Sequence, residues 1–528
     1  MSYRTFSIPL TESGLLSSLM KDYLGRSASV QSLYEFAPAI SSAAPAAQQK
    51  KQQPVNRKLL VEVLQKQYKD FDISDASKKN IELLNDENTF TVTVAHQPSL
   101  LLHPAYYANK IASAIALANE LSRTETSFRC VPVFWLGSED HDFDELGKAK
   151  IFDKEIVWQT ESKGALGRYS VEGLKEVNEQ VKAITGETDF VQLLNTGLDK
   201  CKTFGEYTRY LLNALFGKYG LVIVDQDDVQ LKQSFAHIIE EEIFQSIAQV
   251  VLKENVEFLQ TNYKLQASPR DINFFYLGDN FRERIVRNDN ATGFTVLNQR
   301  ITFTEEEMKT EIQSRPERFS PNVIYRPLFQ EFVLPNIAFV GGGAECSYWL
   351  QLKPLFQHYK VQYPLILHRP PMAVISASAQ KKMDKLNVQA GDLFQPIDAF
   401  VNNYIESQSS VNLSLEDARK SIEHLFENVS VTATAIDVTL TQSVQAEKQK
   451  LLNSIDQLEG KFLKAHKRKN ETLVTQLHSA HESVFPNGTF QERSESFLPH
   501  LSNPEFLDAL VENGSPFEER VVMLSFGE

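Results

Sequence analysis

Apolar and polar residues change period along the chain in a way that predicts alternating strands and helices. Thr89–Ala95 (TFTVTVA) is a β-branched run typical of a buried strand, and Pro104–Leu121 then places Ile111, Ala114, Ile115 and Ala118 at helical spacing. CVPVFWLG, Cys130–Gly137, predicts a second buried strand. The grammar returns twice. Tyr207–Tyr219 reads as a helix leading into the strand Gly220–Asp225, and Asn336–Val340 reads as a strand followed by three glycines, a helix over Ser347–Tyr359 and a strand over Tyr363–Leu367. Strand, helix, strand is the start of a parallel α/β sheet, in which ligands bind beyond the carboxyl ends of the strands.

Around this core, Asn56–Tyr68 predicts a helix, and SSAAPAAQQKKQQP (residues 41–54) reads as a low-complexity loop or linker. Two stretches read as insertions from one sheet. Residues of about 150–205 are polar and mixed, with one strand-like piece at Ala149–Trp158, and about 260–315 is strand-rich, chiefly over Gln266–Thr304. From Ile397 to Phe485 there is no proline and a single glycine, Gly460. Leu451, Ile455, Leu458, Phe462 and Ala465 follow 4-3-4-3 spacing, an a/d seam that resumes at Leu473, Leu477, Ala480 and Val484 after a break near Lys469. Two antiparallel helices forming a coiled-coil arm are expected, with Val429–Thr441 near the turn or in the returning helix. The domain reading is therefore a parallel α/β core over 1–380, the arm over 381–485, and a segment over 486–528 returning to the core.

The 528 residues suit two to four domains at about 100–200 residues each. Three cysteines without a CxxC pair (Cys130, Cys201, Cys346) encode neither a disulfide framework nor a thiolate zinc site, which fits a reducing cytoplasm. No signal-peptide pattern opens the sequence and no run approaches a membrane span, so a soluble protein is expected. A formal net charge of −14 opposes nucleic acid and anionic membranes as partners and leaves small molecules as the default ligand.

Candidate chemistry concentrates at the strand ends. SEDHDFDE, Ser138–Glu145, packs five carboxylates and one histidine into eight residues directly after a strand. Such mutual repulsion is best tolerated where a cation, a basic substrate or a proton transfer offsets it. A solvated acidic loop remains the plain alternative. His141 is the candidate base, because its ordinary pKa lies near neutrality. A metal reading is open too, although the cluster lacks a second histidine at helical spacing. HQPSLLLHP, His96–Pro104, sets two histidines at a strand-to-helix turn, suited to an anion or to simple capping. FVGGGAECSYWLQLK, Phe339–Lys353, lets the backbone approach an anion closely but matches neither GxGxxG nor GxxxxGK[ST]. Cys346 reads as a buried structural thiol, and the basic run Lys461–Asn470 as a solvated face of the arm.

Taken in order, SEDHDFDE after VPVFW, GLVIVDQDD (Gly220–Asp228), FSPNVIYRPLFQEFVLPNIAFVGGGAECSYWLQLK (Phe319–Lys353) and FPNGTFQER (Phe485–Arg493) resemble the bacillithiol biosynthesis cysteine-adding enzymes, the BshC family of cysteine ligases. The resemblance runs over nearly the whole chain. It implies a Rossmann-type core with connecting-peptide insertions, a helical coiled-coil domain that supports a homodimer, and the last step of bacillithiol synthesis, in which cysteine is joined to glucosaminyl malate through an amide. The chain departs from the family pattern at Ala95 and His96, at HPAYY (His103–Tyr107), and at Gly343.

That chemistry assigns expected roles. Asp140 and His141 handle the amine proton, and Glu139 and Asp142 orient amino groups. Arg326 with Gly341, Gly342 and Gly343 holds malate or phosphate charge, with His96 and Gln97 as further substrate contacts and Arg493 as a nucleotide contact. No metal is expected. The activating cofactor is unassigned, ATP or ADP being possible. Two alternatives stand beside this reading: a metal-dependent hydrolase using residues 138–145, and a non-catalytic nucleotide-binding coiled-coil protein.

Overall fold

A computed structural model describes residues 3–288, 293–409, 411 and 413–527; residues 289–292 of the strand-rich insertion lie outside the described residues. The chain divides into two compact units, residues 1–373 with 491–524, and residues 374–490 with 525–528.

The first unit is built on five parallel strands, β1 (Thr89–His96), β2 (Arg129–Leu136), β3 (Val222–Asp225), β4 (Asn336–Gly341) and β5 (Leu365–His368), in the order β5-β4-β1-β2-β3. Both faces are covered, so β1 is buried along nearly its full length, as expected for a parallel strand. Of its three buried threonines, Thr91 and Thr93 find an acceptor in the sheet: both donate to the Asn336 side-chain oxygen on β4, at 3.0 and 2.8 Å. Helix α1 (Tyr106–Thr124) joins β1 to β2, α2 (Phe204–Phe216) precedes β3, and α3 (Val229–Gln245) follows it. Helix α4 (Tyr325–Val333) leads into β4, and α5 (Gly343–Trp349) and α6 (Lys353–Tyr359) connect β4 to β5. The sheet grows from β1 to β3 on one side, then β4 returns to the other side of β1. That reversal makes the carboxyl ends of β1 and β4 the switch point where doubly wound sheets form their crevice.

Three local expectations are corrected. Residues 41–54 are not a loop: Ala43–Lys50 is a helix with Ala43, Ala46, Ala47 and Lys50 buried. Alanine has the highest helix propensity, and Lys50 anchors the end by donating to the Glu331 backbone carbonyl at 2.8 Å while its charge faces the Glu331 carboxylate at 3.9 Å. The helix predicted over Ser347–Tyr359 begins earlier, at Gly343, and is two helices, because Pro354 suits a helix start and not an interior. The strand expected at Ala149–Trp158 is a hairpin, Lys148–Ile151 against Lys154–Val157, turned through Phe152 at φ 53°.

The strand-rich insertion forms a five-stranded antiparallel sheet. In spatial order its strands are Ile301–Phe303, Phe294–Val296, Arg282–Arg287, Phe274–Leu277 and Phe319–Pro321. Because Phe319–Pro321 runs almost directly into α4, this sheet is tied covalently to the approach to β4.

In the second unit Glu416–Ile436 and Leu440–Lys469 form an antiparallel helical hairpin, pinned by Thr434 against Thr441 near the turn and by Arg419 against Asp456 and Glu459 at the far end. The helix breaks at Asn470, where the seam shifts, and restarts over Glu471–Glu482. No residue of Leu440–Lys469 is buried, and the seam residues Leu451, Leu458 and Phe462 stay 44%, 42% and 45% exposed.

Candidate active site

At the switch point lies a cavity of about 580 Å³, lined by residues from β1, the loop after β2, the inserted sheet, α4, α5 and the residues following β5. Its size suits a small-molecule ligand. Six basic side chains, Lys110, Arg270, Arg282, Arg326, Arg369 and Arg493, line it against three acidic ones, Asp140, Glu145 and Glu345. A cationic chamber in a chain of net charge −14 focuses negative ligands where the protein at large repels them.

The end of β1 supplies His96 and Gln97. His96 Nδ1 is 3.0 Å from the Gln97 carbonyl, which only accepts, so Nδ1 carries the proton and Nε2 accepts from the Tyr106 hydroxyl at 3.3 Å. Burial, then the nearby Lys110 charge, lowers the His96 pKa to about 4, so the ring is neutral. Gln97 Nε2 donates to Asp140 Oδ2 at 2.9 Å. Burial opposes the Asp140 charge, but the Arg282 guanidinium, the Gln97 amide and the His141 backbone amide outweigh it and hold this carboxyl well below the usual carboxylate range. Asp140 is thus an anion and a hydrogen-bond acceptor.

Beneath the opposite wall, Lys110 donates to the Ala95 carbonyl at 2.6 Å and to Glu345 Oε1 at 2.8 Å. Glu345 also accepts from the Gly342 amide at 3.0 Å, closing the start of α5. Burial works against the Glu345 charge, and Lys110 with the Gly342 amide overcomes it and lowers its pKa. Arg369 leaves β5 and grips Glu492 through two bonds of 2.7 Å, which brings the C-terminal segment and Arg493 to the cavity. The buried Arg369 Nε has no partner. Arg326 donates to the Tyr348 hydroxyl and to Gln330.

The sequence-predicted residues therefore separate. His96, Gln97, Asp140, Arg326, Gly342, Gly343 and Arg493 share the cavity. Four others do not line it. Gly341 ends β4 behind it, and Glu139 is fully buried, paired with Lys232 and accepting from Gln226 at 2.7 Å and Ser320 at 3.2 Å, so it cannot reach an amino group. Asp142 caps Phe143–Leu146 by accepting from the Glu145 amide. His141 sits half exposed behind Asp140, with Nδ1 at 3.1 Å from Arg282 Nη1. His103 lies outside the cavity as well, and burial, then Lys150, lowers its pKa to about 4. All three cysteines are buried, and burial pushes the Cys346 thiol up, as suits a structural residue.

Sequence reasoning missed Lys110, Arg282 and Arg369. Lys110 had a signal, a lone charge within the apolar run YYANKIASAIALA, and Arg369 follows a buried strand in the same way. Arg282 had none, since RERIVR reads as an ordinary exposed strand.

Among the described residues no group of three His, Cys, Asp or Glu side chains converges to hold a metal ion, and no helix is long and apolar enough to cross a membrane.

Comparison with known proteins places these features in a family. The family description "Bacillithiol biosynthesis BshC, N-terminal Rossmann-like domain" matches residues 1–370, and "Bacillithiol biosynthesis BshC, C-terminal coiled-coil domain" matches residues 372–526. A Cytophaga hutchinsonii protein named "Putative cysteine ligase BshC" is 35% identical over 521 residues, covering 98% of both chains. Proteins of the same name from Flavobacterium johnsoniae and Bacillus cytotoxicus are 36% and 25% identical, covering 93% and 100% of this chain and 94% and 98% of their own. The chain belongs to the bacillithiol biosynthesis BshC family.

Proposed function

We propose that this protein is a cytoplasmic ligase that joins cysteine to glucosaminyl malate by an amide bond, in the last step of bacillithiol synthesis, working as a homodimer through the helical arm. The observation that carries this reading is the placement of Arg326 and Arg493 in the same 580 Å³ cavity as the Asp140 carboxylate. Guanidinium groups match the carboxylates of malate in charge and fork geometry. Asp140, aimed by Gln97, offers an anionic acceptor for the sugar amine.

Amide formation needs a free amine, an activated carboxyl group and donors for the oxyanion. Asp140 serves the amine by orienting its N–H bonds, since a carboxylate held so far down is a poor store for protons. The one lone pair of His96, at Nε2, already accepts from the Tyr106 hydroxyl, and the cationic side supplies the donors. The exposed seam at Leu451, Leu458 and Phe462 supports the dimer.

Mass spectrometry of the purified chain with cysteine and glucosaminyl malate, with and without ATP, tests the reading. The amide product is expected, and the two arms identify the activation step. Asp140→Asn should fold and lose product, and Arg326→Ala should fold and form it only at raised glucosaminyl malate; wild-type kinetics in both would overturn the site, and no product in either arm from the intact chain would overturn the function.

A further inference from the structure

We propose that Arg282, delivered by the inserted antiparallel sheet, is a positioning residue that holds Asp140 and sets the tautomer of His141, with Nδ1 accepting and the proton on Nε2. The catalytic consequence rests on the ligase reading above; the tautomer does not.

A guanidinium only donates, and Arg282 Nη1 stands 3.1 Å from His141 Nδ1, so that nitrogen must accept. The competing partner, Asp140 Oδ1, is 3.6 Å from Nδ1, beyond hydrogen-bond distance, and already accepts from the His141 backbone amide at 2.7 Å. The same Nη1 lies 3.7 Å from Asp140 Oδ1, so one group holds both residues. Arg282 cannot swing away. Its Nε donates to Ser320 Oγ at 3.0 Å, its Nη2 donates to the Pro321 carbonyl at 3.1 Å, and its guanidinium lies 3.9 Å from the centre of the Phe275 ring. Ser320 in turn donates to Glu139 Oε2 at 3.2 Å, and Lys232, the partner of Glu139, donates to the Phe319 carbonyl at 2.6 Å.

The insertion is thus clamped to both sides of the Glu139–Asp140 peptide, one clamp buried and one at the cavity. It also changes the work left to His141: with Nδ1 occupied, the ring presents an N–H donor and no free lone pair.

Nitrogen-15 spectra of the full-length protein with labelled histidine, recorded above neutrality and assigned with His141→Gln, read the tautomer directly. The expected result is a protonated Nε2 and an unprotonated Nδ1 at His141 in the unaltered protein, with a tautomer mixture in Arg282→Gln. In the ligase assay Arg282→Ala should lower kcat about 100-fold with a smaller change in KM, and added methylguanidinium should restore at least a tenth of the loss on a logarithmic scale. A protonated Nδ1 at His141 in the unaltered protein, or wild-type kcat in Arg282→Ala, would overturn the proposal. Absence of ligase product from the unaltered protein would count against the function alone, because the spectrum still decides the tautomer.

Discussion

Arg369 and Glu492 form a two-pronged pair, 2.7 Å at each prong, with both side chains almost completely buried. The pair fastens the segment after residue 490 to the end of β5. Glu492 also accepts from Asn109 at 2.9 Å and from the Met372 amide at 3.0 Å, so its carboxylate serves three elements at once. Glu492→Gln leaves the guanidinium buried without its counter-charge. The expected loss is about 3–5 kcal/mol of unfolding free energy, read from urea denaturation. A change below about 1 kcal/mol would show that the segment is held by apolar packing instead.

Lys110 and Glu345 link α1 to the start of α5 across the switch point. Lys110 is buried and its charge is met by Glu345, so the two substitutions should not add. In a double-mutant cycle of Lys110→Met and Glu345→Gln, denaturation midpoints should give a coupling above about 1 kcal/mol. Additive effects would mean that Lys110 is held by the Ala95 carbonyl alone.

Burial, then the adjacent Arg369 charge, lowers the His368 pKa from 6.5 to about 4. The unfolded chain therefore binds this proton more readily than the folded one. Stability is fully present above about pH 6.5 and falls with decreasing pH until the folded group itself titrates near 4. For His368, which is 8% exposed, the loss from about pH 7.5 to pH 5 amounts to about 2 kcal/mol. His368→Gln should flatten the pH dependence of the urea midpoint by about that amount; an unchanged slope would show that other groups set it.

Arg326 lines the cavity from α4 and is argued to hold a substrate carboxylate. Arg326→Ala should raise KM for glucosaminyl malate about 10- to 100-fold, within the 1.5–3 kcal/mol range of a charged hydrogen bond, and weaken competitive inhibition by free malate in step. A fall in kcat with KM and malate inhibition unchanged would move Arg326 away from ground-state binding.

Gly460 sits inside the Leu440–Lys469 helix, and a methyl group built on it meets nothing within 4 Å. Gly460→Ala should stabilise the arm by about 0.5–1 kcal/mol, seen as a higher helix melting temperature by circular dichroism. A decrease would reveal that a close partner packs over this position.

Much of the architecture was legible because burial on both faces writes long β-branched runs such as TFTVTVA, and burial on one face writes helical spacing such as Ile111, Ala114, Ile115 and Ala118. The helix at Ala43–Lys50 was not legible, since small residues and glutamines carry no clear period; Lys50 and its buried acceptors on Glu331 decide it. In the site, SEDHDFDE marked the right strand end but could not say which carboxylate goes where. One residue apart, Glu139 points down to Lys232 and Asp140 points up to Gln97.

What the sequence alone determined is local: which segments are strands or helices, where the seam of the arm breaks, and that charge gathers after β2. Only the tertiary structure decided the company that charge keeps. Arg282, Arg326, Arg369 and Arg493 come from separate elements, and the strand order β5-β4-β1-β2-β3 with its insertion brings them around one cavity beside Asp140. Hydrophobic periodicity records only whether a position is buried, and says nothing of which distant residue it is buried against; pairing of opposite charges at close range depends on that second fact.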